Sequence, residues 1–321
     1  MMYEQEIVTL NDLVAESHMY RKFMQVWDLS EIEAEFTRIE QGRDHKGYGL
    51  FRLFKCILLQ FMENLSDREL ERFLQENNAG KWFCGFGLSE TTPDHTVLTR
   101  ARTRIGTNKM ASIFKQLKQQ LESQGLISEV FTFVDATHLI AKANLWQERD
   151  KAIKAKIDKL NNETLPKVAH DKQAKIGCKG NNKYWYGYKQ HTSVDMQSGL
   201  INKVAITPAS LTDAQGLKHV APNAGAVYAD KGYCTKHSKR AAQIKGLHLA
   251  AIKNNNMKDK NRDLDRWYSS IRAPYERVFS KQNKRVRYVG IAKNQFSAFV
   301  HAICFNLKRL LVIAPPEQAT T

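Results

Sequence analysis

Phe131-Thr-Phe-Val-Asp-Ala-Thr137 is the stretch around which the second half of the sequence is organised. Its residues are mostly apolar, aromatic or β-branched, and residues of these kinds favour a β-strand. The run carries one carboxylate, Asp135, toward its far end. We therefore expect a central strand that presents Asp135 at one edge of a sheet.

Two further carboxylates stand in comparable settings. Asp230 closes a second short apolar run, Ala226-Val-Tyr-Ala-Asp230, and Glu276 lies in the helical pattern Arg272-Ala-Pro-Tyr-Glu-Arg-Val-Phe279. Hard cations such as Mg²⁺ bind carboxylate oxygens, and two ions ~3.5–4 Å apart can hold the attacking and leaving oxygens of a phosphoryl transfer. The three acids are candidate metal ligands, although an acidic residue at a strand end is also a common turn former.

The net charge of +16 is unevenly distributed along the chain. The first 130 residues contain 16 Lys and Arg against 19 Asp and Glu, whereas the remaining residues contain 33 against 14, a net charge of +19. A basic excess by itself favours only solubility and weak binding of polyanions. Beside a candidate metal site it indicates nucleic acid as the substrate, because Lys and Arg neutralise phosphates.

Length and composition narrow the class of protein. The 321 residues suffice for about two domains, and an apolar content of 42% is typical of a globular protein. Five cysteines without a C-x-x-C pair argue against a zinc site and a disulfide framework. The longest apolar-rich run, Gly47 to Met62, is interrupted by Arg52 and Lys55 and is too short to span a membrane. The acidic first residues do not resemble a signal peptide, so we expect a cytoplasmic protein with no membrane partner.

The N-terminal part is expected to be helical. Apolar residues from Gly49 to Met62 predict a mostly buried helix, and Ser66-Asp-Arg-Glu69 is a capping box that starts the next one. A further helix, stopped by Gly106, carries Arg100 and Arg104 on one face. Three short helices with a basic last one fit a helix-turn-helix reader of DNA, and they equally fit a compact helical triplet.

The C-terminal part alternates predicted strands and helices. A lysine-rich interval, 142–183, favours a solvated insert over a dedicated DNA clamp. A hairpin of aromatic and β-branched strands follows at 184–195 and 200–207. The polar, basic segment from Asn254 to Arg266 is typical of a surface loop.

Cations crowd the sequence around Glu276. Six Lys and Arg residues flank this one acid, and they would repel one another unless a polyanion lay nearby. We therefore expect Arg272 and Arg277 to contact DNA phosphates. The alternative is a solvated, charged helix face.

The order of these motifs resembles the DDE transposases of bacterial insertion sequences, of the group called the IS-five family. The resemblance covers residues 45–311. Tyr268 and Lys284 each lie one residue away from the spacing that related transposases keep around the matching Arg272. The motifs that carry the resemblance are Leu65-Ser-Asp-Arg-Glu-Leu70, Pro93-Asp-His-Thr96, Val134-Asp-Ala-Thr137, Tyr186-Gly-Tyr-Lys-Gln-His191, Val194-Asp195, Ala229-Asp-Lys-Gly-Tyr233, Glu276-Arg-Val-Phe279 and Tyr288-Val-Gly-Ile-Ala-Lys-Asn294.

The resemblance implies an α/β fold in which a ribonuclease H-like catalytic domain, 131–321, follows an all-helical domain, 1–130, that binds DNA ends. It implies that Asp135, Asp230 and Glu276 form the metal-binding triad, with two Mg²⁺ ions as cofactors. Double-stranded DNA is the implied partner, both as the terminal repeats of the element and as the target. A homo-oligomer on DNA is also implied.

These features together predict a transposase that cuts DNA at the ends of its element and joins the freed 3′-hydroxyl to target DNA. Two alternatives stay open. A nuclease on the same fold would cut DNA without joining it, and a noncatalytic repressor would only bind it. The three acids argue against the repressor, whereas only a joining assay separates the transposase from the nuclease.

Overall fold

The computed structural model describes residues 7–42, 47–141, 154–155, 161–180, 183–254, 257, 260–275 and 284–315. The chain divides into two compact units, one formed by Met1–Leu117 with Ile303–Thr321 and the other by Lys118–Ala302. Helices and a six-stranded sheet make this a mixed α/β protein. The division into domains at residue 130 stays a prediction.

Helices precede the first strand, and their ends follow local capping chemistry. The capping box predicted at Ser66 is confirmed, because the Ser66 hydroxyl accepts from the Glu69 N–H and the Glu69 carboxylate accepts from the Ser66 N–H. Gly106, at φ 71°, interrupts the last of these helices as predicted. The helices are α1 Met19–Val26, α2 Ser30–Glu40, α3 Leu50–Met62, α4 Asp67–Glu76, α5 Asn78–Cys84 and α6 His95–Ser123.

Helix α3 is the buried element of the first unit. From Leu53 to Met62 every residue is buried, as the apolar run predicted. Between α4 and α6, Asp67 accepts two hydrogen bonds from the Arg102 guanidinium, at 2.5 and 2.9 Å. This paired geometry is the strong form of an Arg–carboxylate contact and ties the two helices together.

The sheet of the second unit combines antiparallel and parallel pairs. β1 is antiparallel to β3 on one side and parallel to β5 on the other, and β5 is parallel to β6. The far edge of β3 pairs with β2 and, further along, with β4. The strands are β1 Phe131–Ile140, β2 Lys175–Lys179, β3 Lys183–Asp195, β4 Ile201–Pro208, β5 Ala226–Ala229 and β6 His248–Ala251.

The predicted hairpin is confirmed, and its turn has a clear cause. Asp195 ends β3, and its carboxylate accepts hydrogen bonds from the N–H groups of Gln197 and Ser198. Gly199 follows with a φ of 74°, a conformation that favours glycine. These contacts reverse the chain before β4.

Helices α7 Leu165–Val168, α8 Asp213–Val220, α9 Lys236–Ile244, α10 Arg262–Arg272 and α11 Ile291–Ile313 complete the described elements. Helices α8 and α9 pack apolar side chains against one face of the sheet. Val134 of β1 lies in this core and directly precedes Asp135. The members of the core are Val134, Leu217, Val220, Ala221, Val227, Ala229, Tyr233, Ala242 and Leu247.

Two segments differ from the sequence prediction. The polar run expected to be a loop up to Arg266 contains the start of α10, because Asn261 caps a helix through the N–H groups of Asp263 and Leu264. Part of the lysine-rich interval, which was expected to be a solvated insert, forms strand β2, Lys175–Lys179. A Cβ at Gly177 would lie 2.6 Å from the Trp185 ring, so this glycine permits close packing within the sheet.

Helix α11 is the most apolar of the long helices among the described residues. α11 is long and apolar enough to cross a membrane by length and composition, and half of its most apolar window is buried inside the protein. Polar Asn294 and Asn306 are buried within it. Such burial is typical of a core helix.

Candidate active site

Asp135 and Asp230 meet at the carboxyl ends of two neighbouring parallel strands. Val134 of β1 stands directly beside Ala229 of β5, and the next residue along each strand is one of the two acids. The shared register therefore brings together two side chains that are far apart in sequence. This is the juxtaposition that the sequence predicted for these two residues.

The Asp135 carboxylate is partly buried and accepts a hydrogen bond from the backbone of its own strand. The Ala136 N–H donates to its Oδ1 at 2.7 Å. Burial, followed by the negative charges of Asp213 and Asp230, raises the pKa of Asp135 to about 6, against the Ala136 hydrogen bond and the positive charge of Arg272. Three negative carboxylates thus influence one another at this point of the sheet.

Asp230 is more open to solvent and already pairs with one cation. Its Oδ1 accepts from the Lys231 N–H at 2.6 Å at the start of the 3-10 turn Lys231–Tyr233. The Arg272 Nη1 lies 3.1 Å from the same oxygen. Arg272 is the last residue of α10, and its guanidinium lies 5.6 Å from the centre of the Phe133 ring. The described partner of Arg272 is therefore a carboxylate, and its contact with DNA phosphate stays a prediction.

Glu276 and Arg277 lie outside the described residues, so their predicted roles stay predictions. The last described residue before them is Tyr275, in the 3-10 turn Ala273–Tyr275. The Tyr275 ring lies 6.3 Å from that of Phe133, two residues before Asp135 on β1.

The other predicted DNA-binding residues, Arg100 and Arg104, lie in the first unit on the part of α6 before Gly106. Both are exposed, and Arg104 forms an ion pair with Glu40 at 3.5 Å. Arg102, between them, is held by Asp67 instead. The helix thus presents Arg100 and Arg104 one turn apart, while Arg102 has a structural role.

Asp213, Lys189 and Tyr233 are three neighbours of the site that the sequence did not reveal. The Lys189 ammonium, on β3, lies 2.8 Å from Asp213 Oδ1, and a Cβ at Gly232 would lie 3.7 Å from Asp213 Oδ2. Asp213 follows the capping residue Thr212, so its sequence context indicated only a helix start. One signal existed for Lys189, a charged residue inside a strand that is otherwise expected to be buried.

The donor set fits a hard divalent cation. Asp135 and Asp230 supply carboxylate oxygens at one sheet edge, and the pKa of Asp135 is raised first by burial and then by the neighbouring negative charges. Within the ranges that the structure describes, no group of three His, Cys, Asp or Glu side chains is arranged as a complete metal site. The role of the two aspartates as metal ligands therefore stays a prediction.

Two transposase families match separate ranges of the sequence. The family described as "Transposase DDE domain" matches residues 127–307, and "Transposase domain (DUF772)" matches residues 8–104. A transposase for insertion sequence element IS1106 from Neisseria meningitidis serogroup B is 28% identical over 212 residues, which is 62% of this chain and 72% of that protein.

Among solved structures, the Mos1 transposase paired-end complex with left transposon end has a TM-score of 0.18 at 8% identity, covering 91% of this chain and 89% of that one. A pre-cleavage Mos1 transpososome has a TM-score of 0.18 at 7% identity, covering 92% and 89%. Membership of the IS-five group stays a prediction. Because the DDE domain match spans more than half of the sequence, the chain belongs to the transposase DDE domain family.

Proposed function

We propose that this protein is an insertion-sequence transposase that binds the ends of its element, cleaves the DNA there and joins the freed 3′-hydroxyl to target DNA. The observation that carries the proposal is the register of β1 and β5, which places Asp135 and Asp230 side by side. Membership of the DDE domain family and the relative named for IS1106 support the same activity.

The sheet supports a ribonuclease H-like catalytic domain. β1, β3 and β4 form an antiparallel set, and β5 and β6 continue the sheet parallel to β1. The first acid lies on the first strand of this set and the second directly after β5, as the family resemblance implies. The helices before β1 support a helical DNA-end-binding domain, to which the exposed Arg100 and Arg104 would contribute.

Asp135, Asp230 and Glu276 would hold two Mg²⁺ ions. When bound, these ions supply a nucleophile at neutral pH and stabilise the charge of an in-line displacement at phosphorus. Arg272, packed on Phe133, fixes the orientation of the Asp230 carboxylate through their ion pair. The net charge of +19 beyond residue 130 attracts the DNA backbone, with Arg272 and Arg277 as the nearest candidate phosphate contacts. A homo-oligomer would hold two element ends together.

A strand-transfer assay tests the proposal. Labelled duplexes that carry the ends of the element are incubated with the full chain, Mg²⁺ and a supercoiled target plasmid. The expected products are DNA cut at the element end and labelled DNA joined to the plasmid. Cleavage without joining would indicate the nuclease, and end binding without either product would indicate the repressor. Both results would overturn the transposase assignment.

A further inference from the structure

Tyr233 lies directly beyond Asp230, at the end of the 3-10 turn Lys231–Tyr233. Its side chain is 1% exposed, and its ring belongs to the apolar core that also contains Val134 and Leu217. Phenylalanine would bury the same ring in the same place. The hydroxyl group of Tyr233 therefore needs an explanation other than packing.

The Tyr233 hydroxyl is buried and has no hydrogen-bond partner in the described part of the chain. A buried polar group without a partner lowers stability, and where one persists it commonly serves a catalytic site or a bound ion. Burial, together with the charges of Asp135, Asp213 and Asp230, raises the pKa of this phenol well above its ordinary value. The hydroxyl therefore stays protonated at neutral pH, and it is available as a hydrogen-bond donor within the electrostatic influence of three carboxylates.

Asp213 is held in place by the sheet. Its partner Lys189 is itself buried on β3, with the ammonium 5.8 Å from the centre of the Trp185 ring. The reciprocal capping contacts of Thr212 and Gln215 fix the backbone at the start of α8. Asp213 therefore keeps one oxygen on Lys189 and the other beside Gly232, next to the turn that carries Asp230.

We propose that Tyr233 and Asp213 are positioning residues of the carboxylate site. The Tyr233 hydroxyl donates a hydrogen bond toward the Asp135 and Asp230 carboxylates through one water molecule. Asp213, anchored by Lys189, accepts hydrogen bonds from water that a divalent cation holds. The inference rests on the proposed function, because it requires a cation at the two aspartates. Losing an outer contact of this kind typically weakens metal binding about 10- to 100-fold.

The test measures Mn²⁺ affinity by calorimetric titration of the full chain without DNA, together with the melting temperature of the metal-free protein. Tyr233→Phe is expected to weaken Mn²⁺ binding about 10- to 100-fold. Its melting temperature is expected to equal or exceed that of the wild type, because the change removes a buried hydroxyl without a partner. A purely structural role for the hydroxyl would lower the melting temperature and leave Mn²⁺ affinity unchanged.

Tyr186→Phe is the matched control, because this hydroxyl on β3 donates to the Asp171 carbonyl at 2.5 Å. It is expected to melt at a lower temperature and to bind Mn²⁺ as the wild type does. If Tyr233→Phe does not fold, the same Mn²⁺ titration is made with Asp213→Asn. This variant is expected to fold, because Asp213 is half-buried and asparagine has the same size as aspartate.

The outcomes separate the two proposals. Wild-type Mn²⁺ affinity in folded Tyr233→Phe, or in folded Asp213→Asn when the first variant does not fold, would overturn the inference and leave the proposed function standing. Failure of the wild-type chain itself to bind Mn²⁺ would overturn the proposed function and the inference with it.

Discussion

Asp171 and Asp135 are two carboxylates of the same unit with opposite surroundings. Asp171 is completely buried, and the donors to its carboxylate are the Tyr188 hydroxyl and the N–H groups of Gln173, Ala174 and Gly290, at 2.6 to 3.3 Å. Asp135 has the N–H of Ala136 and faces two further negative charges. The first is satisfied by the protein alone, whereas the proposed function gives the second a cation as its partner.

The contrast predicts that Asp171 is a structural acid and Asp135 a functional one. A buried charge that the protein fully hydrogen-bonds stabilises the fold, and removing it leaves its donors without a partner. A carboxylate held near like charges lowers the stability of the metal-free protein, and a bound cation would remove that repulsion. The same substitution, Asp to Asn, should therefore act in opposite directions at the two positions.

The largest effect is expected on catalysis. Asp135→Asn should reduce Mg²⁺-dependent cleavage on the order of 10³-fold or more, because the amide is a poor ligand for a hard cation. Asp230→Asn and Glu276→Gln should do the same, with little change in DNA-end binding by gel shift.

Because the folded pKa of Asp135 is raised to about 6, its charge opposes folding at pH 7. Asp135→Asn should therefore melt no lower than the wild type, and full cleavage by this folded variant would remove Asp135 from the site.

The reverse pattern is expected at Asp171. Asp171→Asn should lower the free energy of unfolding by about 3 kcal/mol, because several donors lose a charged acceptor. Urea unfolding measures this change. The fraction that remains folded should cleave DNA with an unchanged metal requirement. A loss of cleavage without a loss of stability would mean that the two carboxylates do not differ as argued.

A third buried group on the sheet, His191, extends the comparison to pH. Its Nε2 contacts the Thr207 hydroxyl at 2.8 Å, and burial lowers the pKa of the imidazole to about 4. In the unfolded chain the His191 imidazole takes up a proton near pH 6.5, whereas in the folded protein it stays neutral down to about pH 4. The contribution of His191 to the free energy of unfolding is therefore full above pH 6.5 and is lost as the pH falls toward 4. Between pH 7.5 and pH 5 this should cost about 2 kcal/mol in urea unfolding.

His191→Gln is the control for this pH dependence, since the amide can also contact Thr207 but does not titrate. The variant should lose most of the decline between pH 7.5 and pH 5. An equally steep decline in the variant would assign the acid sensitivity to other groups.

The sequence predicted the strand ends well because their signals are local. Asp135 and Asp230 each close a run of β-prone residues, and parallel neighbours bring such ends to one edge. The capping box at Ser66 and the break at Gly106 are equally local. Signals of this kind depend on a few adjacent residues, and tertiary contacts did not override them.

The remaining features depend on contacts that no local pattern encodes. Asp213 joins the site through Lys189, 24 residues earlier, and Tyr233 looks like any core aromatic until the carboxylates around it are placed. α10 was missed because its sequence is largely polar, and Asp265 is the only one of its residues that is buried. A polar helix is recognisable only once its cap and the surface it covers are known.

The smallest expected effect concerns the first unit, where Arg100 and Arg102 show the same contrast between an exposed charge and an ion-paired one. The Arg102 guanidinium pairs with Asp67, whereas Arg100 is exposed and lies one turn from Arg104. Arg100→Ala and Arg104→Ala should each weaken binding of element ends about 3- to 10-fold and lower the slope of log affinity against log salt by about 1, as for a lost phosphate contact. Fluorescence anisotropy at several salt concentrations measures both quantities.

Arg102→Met is the internal control, because it removes a positive charge that is ion-paired with Asp67 and leaves the exposed Arg100 and Arg104 of the same helix in place. It should lower the melting temperature by breaking the contact with Asp67 and leave the salt slope of the folded protein unchanged. If the three substitutions changed the slope equally, overall charge would explain binding. A change confined to Arg100→Ala and Arg104→Ala would instead locate the DNA backbone along that face of α6.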